Sequence, residues 1–301
     1  MRFFKRRPGT EPERVQKTVR RPEARRPVTT TVGDDEPDWR SYDRIAERYA
    51  EIQAPRTALV SADLVDVTGV RPGHRVLDVG TGTGVTARAV AAAVGSEGLA
   101  VGIDPSLPML RLARRDRAPA RYTGAEAIDL PFADGTFDAV VSSFAITHFQ
   151  KYDTALFDMI RVLRAGGRFG VATWGHSQDE FSRAWDEVAE SFAGVEILRD
   201  VYQRAMPWAD RFSDPKRLKE TLYDAGIRET RVETREYRFE MTAVAYLESR
   251  EIAAPGRFLH QTLGETLWGR FRDRSRQVFA ERFPPAFTDF RDVILAAGTK
   301  P

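Results

Sequence analysis

Three glycines at every second position, Gly80, Gly82 and Gly84, follow an apolar run, Val76-Leu77-Asp78-Val79, that itself carries one carboxylate. Such a run reads as a buried parallel strand, and glycines just beyond it let the backbone turn tightly and approach a ligand with no Cβ in the way. The helix expected next, Val85 to Val94, would aim its free N–H groups and the positive end of its dipole at an anionic group. Asp104 lies twenty residues beyond Gly84 and ends a second apolar run, where a carboxylate can accept two ribose hydroxyls. Its alternative reading is a helix cap, since Pro105 could open the next helix. These residues predict a nucleotide-like ligand.

The glycines alone fit two chemistries. Gly82-Thr83-Gly84-Val85-Thr86-Ala87 satisfies the dinucleotide fingerprint, which predicts an NAD(P)-dependent oxidoreductase. The other choice rests on an ordered set: Asp78 two residues before Gly80, then Val101-Gly102-Ile103-Asp104-Pro105-Ser106, then Glu126 to Asp138, then Arg161-Val162-Leu163-Arg164-Ala165-Gly166-Gly167-Arg168. This set resembles the class I S-adenosylmethionine-dependent methyltransferases, in particular the subgroup containing the ubiquinone and menaquinone biosynthesis C-methyltransferases. The resemblance covers about Tyr42 to Trp174 and fades beyond. It implies an enzyme that uses S-adenosylmethionine. A protein of this fold that keeps the cofactor but catalyses another reaction, or only binds a ligand, is a further reading.

The resemblance also implies roles for single residues. Gly80, Gly82 and Gly84 would give the methionine end of the cofactor close backbone approach, with Asp78 supplying negative charge directly or through water. Asp104 would hold the ribose. Glu126 would take the exocyclic amine of adenine and the Ala127 N–H a ring nitrogen, with Asp129 as the alternate acid and Leu110 and Ile128 sandwiching the ring. Tyr49 is expected near the methionine end, or else as an aromatic packed between helix and core. Ser142 or Ser143 would sit by the amino group, and Phe144 or His148 would face the acceptor. Methyl transfer to a phenol or enol calls on a base, for which His148 and His176 are the candidates, since each follows a strand at the active edge. No metal-ligand cluster accompanies them.

Several elements must bring these residues together. Alternating apolar and helical patterns predict strands at 75–79, 99–103, 119–123, 137–142 and 168–174, then 229–239 and 292–297. Helices are expected at 42–49, 58–67, 85–94, 107–115, 154–164 and 214–225. The fold class is therefore α/β: a doubly wound, seven-stranded, mostly parallel sheet of the Rossmann-like methyltransferase type. Two aromatic-rich stretches, 175–213 and 241–286, are expected as helical cap insertions that enclose the acceptor. The cofactor core should span 71–174 inside one domain running from 38 to 301.

Residues 1–37 read as a basic disordered tail, because the first thirty carry ten Lys or Arg against three Glu and four prolines. Aromatics are too few there for a single-strand platform, which argues against nucleic acid as partner. The Arg6-Arg7 pair lacks the apolar segment a twin-arginine signal needs, and no run is long enough to span a bilayer. With no cysteine, disulfides and thiolate chemistry are excluded, and a cytoplasmic location is expected. The whole predicts a small-molecule methyltransferase acting on carbon or oxygen of an apolar quinol, phenol or polyketide-like acceptor.

Overall fold

The computed structural model describes residues 39–176 and 179–301; the expected basic tail lies outside the described residues. After a short turn of 3₁₀ helix at Asp43–Ile45, the chain forms α1 (Ala46–Ile52) and α2 (Ala54–Thr68). It then alternates: β1 (Arg75–Val79), α3 (Val85–Val94), β2 (Leu99–Asp104), α4 (Leu107–Arg115), β3 (Ala120–Gly124), β4 (Phe137–Ser143), α5 (Tyr152–Arg161) and β5 (Leu163–Trp174). Three cap helices follow, α6 (Glu180–Ala193), α7 (Val195–Ala205) and α8 (Ala209–Phe212), before α9 (Pro215–Asp224) and β6 (Arg228–Thr242). The second cap insertion is α10 (Ala243–Ile252) and the long α11 (Ala254–Arg282), which is broken at Gly264, where φ is 70°. Finally β7 (Ala286–Thr299) returns to the sheet.

The seven strands lie in the order β3-β2-β1-β4-β5-β7-β6, parallel except for β7, which is antiparallel to both neighbours. The order reverses between β1 and β4. Right-handed crossovers to either side of that point leave a crevice at the strands' carboxyl ends, where ligands of open α/β sheets sit. Alternation along each strand divides the core. Val76, Ala139 and Val141 face α2 and α3, whereas Leu77, Val140 and Phe169 face α5 and α9.

The two last strands are longer than the alternation of the sequence predicts, and the reason is pairing. β5 meets β7 only as far as Trp174 opposite Val293, but β6 and β7 stay paired out to Thr242 opposite Ala286. Residues 286–292 thus bond to β6 without β5, as a two-stranded ribbon that projects past the sheet edge and carries α10 and α11 over the crevice.

Phe169 is fully buried in the middle of β5. Phe169→Ala should cost about 3–5 kcal/mol, the usual consequence of deleting a buried ring from a close-packed core, read as a lower urea midpoint with an unchanged slope.

Candidate active site

The crevice holds a cavity of about 460 Å³ whose wall includes Gly80, Gly82, Asp104, Tyr49 and His148. Gly80 and Gly82 adopt left-handed backbone, φ 74° and 52°. A Cβ on Gly80 would lie 2.4 Å from that of Ala145, while at Gly82 nothing stands within 4 Å, so the loop presents bare backbone to the open space. Gly84 serves differently. It caps α3 in left-handed conformation at φ 79°, and a Cβ there would meet the Tyr122 hydroxyl at 2.6 Å and Ala113 at 2.8 Å, so its lack of a side chain lets the turn close against α4 and β3.

Two carboxylates hold this turn in shape. Asp104 accepts the Gly82 N–H on Oδ2 and the Ser106 N–H on Oδ1, both at 2.9 Å, so it ties the end of β2 to the loop leaving β1. The cap of α4 is Ser106, not Asp104: its hydroxyl oxygen accepts from the Met109 N–H. Burial raises the Asp104 pKa against the lowering effect of these two amides. Asp78 is wholly buried beneath the loop and off the cavity wall. Its Oδ2 accepts from the Thr81 hydroxyl at 2.6 Å, and Oδ1 has no hydrogen bond of normal geometry. Burial pushes its pKa up to about 7, opposed by the Thr81 hydrogen bond and reinforced by the charge of Asp104.

The turn of helix and α1 that precede the sheet fold across Asp104. Ser106 donates its hydroxyl to Asp43 Oδ1 at 2.6 Å, and Ala46 packs on Met109 and Leu112. Tyr49 enters the cavity wall beside Tyr42, their rings edge to face at 5.8 Å. Burial raises the pKa of both phenols. His148 stands edge-on to Tyr42 at 6.0 Å, in a wall shared with a smaller adjoining cavity of about 310 Å³. Its ring is open to the cavity, yet desolvation within the protein, and then the charge of Arg257, push its pKa down to about 4. The imidazole is therefore neutral at pH 7.

Other expected residues fall elsewhere. Ser142 is wholly buried and donates to the Val79 carbonyl at 2.9 Å, bracing β4 on β1; strand alternation leaves Ser143 at the cavity, with its hydroxyl unpartnered. His176 is exposed and off the cavity wall. The chain turns aside there because the Gly175 N–H donates to the Asp292 carbonyl on the β7 ribbon. Glu126 is exposed and Ala127 half-buried, both off the cavity wall, in the loop joined to Asp104 only through the Ala125 N–H and the Asp104 carbonyl at 3.4 Å. Asp129 is exposed in that loop as well. Met109 lines the cavity while Leu110 turns into the core, and Ile128 lies partly exposed.

The far side of the cavity is aromatic and cationic. Phe144, forced to φ 56° at the end of β4, stacks on Trp174 at 4.1 Å. Positive φ in a bulky residue is strained backbone held by its surroundings, here by the Phe144 N–H bond to the Ala172 carbonyl. Trp185, Tyr202 and three arginines, Arg56, Arg250 and Arg291, complete that wall. None of these arginines follows from local pattern, since α2, α10 and β7 meet only in the folded chain.

The sheet order and the glycine turn define a Rossmann-like, adenosyl-binding α/β enzyme. A methyltransferase-domain family profile matches residues 76–167. The chain is 30% identical over 231 residues to the ubiquinone/menaquinone biosynthesis C-methyltransferase UbiE of Ectopseudomonas mendocina, covering 69% of this chain and 90% of that one. It is 36% identical over 210 residues to the demethylmenaquinone methyltransferase of Symbiobacterium thermophilum, covering 63% and 84%. A match to the demethylmenaquinone methyltransferase of Renibacterium salmoninarum, 41% identical over 114 residues, spans 38% of this chain and only 46% of that relative. In fold it resembles the YcgJ protein of Bacillus subtilis, with TM-score 0.50, 20% identity and coverage of 80% and 98%. It also resembles phosphoethanolamine N-methyltransferase 2 of Haemonchus contortus, with TM-score 0.53, 19% identity and coverage of 89% and 61%. The chain belongs to the class I S-adenosylmethionine-dependent methyltransferases. Among the described residues no helix is long and apolar enough to cross a membrane.

The residues present fit that cofactor: open backbone at Gly82, unused lone pairs on Asp104, and an unpartnered buried hydroxyl on Ser143. Asp78 gives the site a pH signature. Between its unfolded value of 3.8 and about 7 the folded protein keeps a proton that the unfolded chain has released, so stability falls as pH rises through that window. Asp78→Asn retains an oxygen for Thr81 and should flatten this slope; urea melts across the window should show the variant gaining on the wild type as pH increases.

Proposed function

We propose that this enzyme methylates carbon or oxygen of an apolar small molecule with an aromatic or polyketide-like body, a quinol or phenol being the simplest case. The observation that carries this reading is one continuous cavity, with the glycine turn and Asp104 at one side and Phe144, Trp174, Trp185 and Tyr202 at the other. Flat aromatic walls favour a flat apolar acceptor. The relatives' names, which specify C-methylation in quinone biosynthesis, support carbon as the methylated atom.

In this reading Gly80 and Gly82 supply backbone to the methionine end, Asp104 takes the ribose hydroxyls, and Ser143 and Tyr49 close on the amino-acid end. Gly84 and Asp78 act from behind by fixing the turn. The cofactor supplies an electrophilic methyl: as the acceptor's carbon or oxygen bonds to it, the carbon–sulfur bond breaks with its electron pair kept on sulfur, leaving S-adenosylhomocysteine. The protein's task is to hold the acceptor in line, worth roughly 7–11 kcal/mol of barrier in well-aligned cases. His148, neutral at physiological pH and only weakly basic, takes the proton that a phenolic or enolic acceptor sheds as the new bond to methyl makes it acidic. Glu126 and Ala127, in the loop after β3, are the residues assigned to adenine in this reading.

Asp104→Ala should weaken S-adenosylmethionine binding by roughly 1.5–3 kcal/mol in calorimetry, the scale of hydrogen bonds to a charged group. Unchanged affinity in a folded variant would remove Asp104 from the ribose site. His148→Phe should lower kcat with a phenolic acceptor by about 10²-fold or more while leaving cofactor affinity intact, measured as S-adenosylhomocysteine released. Equal turnover by the variant would assign the proton to solvent.

A further inference from the structure

The charges around the cavity are sorted. Among the described residues of its wall, Asp104 is the one carboxylate, whereas Arg40, Arg56, Arg250 and Arg291 all face the same space. The carboxylates that partner the inner three arginines stand behind the wall. Asp289, wholly buried, contacts Arg56 Nη2 at 2.5 Å and Arg291 Nε at 2.8 Å; Asp179 contacts Arg291 at 3.1 Å; Asp186 reaches Arg250 at only 3.4 Å. Arg250 is further held by the Tyr202 hydroxyl, at 2.7 Å, and lies 5.7 Å from the Trp185 ring. Arg56 has a side chain 10% exposed, and its Nε finds no hydrogen-bond partner.

Three guanidinium groups so placed repel one another, and their backing carboxylates orient them inward. A neutral quinol or hydrocarbon body would cover Arg56, whose Nε has no partner, and Arg250, whose carboxylate stands at 3.4 Å, without replacing the water they lose, and an unsatisfied buried charged donor is among the costliest groups to leave in a site. A planar carboxylate answers this arrangement, because it accepts two parallel N–H bonds from one guanidinium. Of the three carboxylates behind the wall only Asp289 is buried; the side chains of Asp179 and Asp186 are 18% and 31% exposed, so solvent screens part of the offsetting charge and leaves a modest positive surplus that a single negative charge matches better than the double charge of a phosphate. The aromatic wall formed by Trp174 and Trp185 would cover the rest of such a molecule.

Building on the methyltransferase reading above, we infer that the acceptor carries a carboxylate bound by Arg250, with Arg56 and Arg291 contributing to the same anion site. The enzyme is thereby directed to an aromatic or polyketide-like acid instead of a neutral quinol.

The test uses the full chain saturated with S-adenosylhomocysteine and two matched probes, 1-hydroxy-2-naphthoate and 1-naphthol, titrated by calorimetry. The acid should bind roughly 10- to 100-fold more tightly than the phenol, and Arg250→Met should erase most of that preference while leaving S-adenosylhomocysteine affinity unchanged. Arg250→Lys, which keeps the charge but loses the fork, should retain part of it. Equal binding of both probes to the wild type, or a preference that Arg250→Met leaves intact, would overturn the carboxylate site and leave the aromatic-acceptor reading standing. Binding of neither probe by a protein that still takes up S-adenosylhomocysteine would overturn both.

Discussion

The bond between the Gly82 N–H and the Asp104 carboxylate joins the loop leaving one central strand to the tip of its neighbour, and the rest of the site is built around it. It requires left-handed backbone at the glycines, hence residues without Cβ, and it requires a carboxylate at the last position of β2, hence a strand ending in Asp. Once made, it fixes the spacing between open backbone donors and an acidic acceptor. Asp78 underpins the same turn from below through Thr81. Its burial is costly as an anion, which raises its pKa towards neutrality.

Above this floor helices of the two insertions, with α2, the ends of β4 and β5, and β7, assemble a second half with a different chemistry. The cofactor side is made of backbone and short polar groups. The opposite side is made of large rings and guanidinium groups, stacked and paired with carboxylates on elements distant in sequence: Arg56 on α2 with Asp289 on β7, and Arg250 on α10 with Asp186 on α6. The same fold therefore presents its adenosyl ligand to a wall whose identity depends on the insertions, which is how one sheet can serve many acceptors.

What could be read in the residues alone follows this division. The glycine turn, Asp104 and the alternation of strands and helices are local patterns whose spacing carries their meaning, and the sheet has the expected seven strands in doubly wound order. Tyr49 lines the cavity and also packs against the Ala46, Met109 and Leu112 cluster, so both readings of it meet at one place. Ser142 and Ser143 could not be separated, since a shift of one residue at a strand's end exchanges core for cavity. Leu110 and Met109 differ in the same way on a helix. His176 lies off the cavity wall, and nothing in the sequence signals that the neighbouring Gly175 bonds to the β7 ribbon; the arginine wall is likewise hidden because its members lie as far apart as residues 56 and 291.

The placement of β7 between β5 and β6 has a consequence for how the molecule is made. Roughly 110 residues separate β5 from the strand that must lie beside it, and both cap insertions fall within that interval. During synthesis the nucleotide half can collapse while the edge of β5 still waits for its neighbour, an open edge of apolar backbone on the ribosome. Closure of the sheet and assembly of the acceptor wall are then a single late event, because the strand that seals the one also brings Asp289 and Arg291 to the other. Long-range pairing of this kind is slow, so a nascent chain stalled before that strand emerges would expose β5 to aggregation.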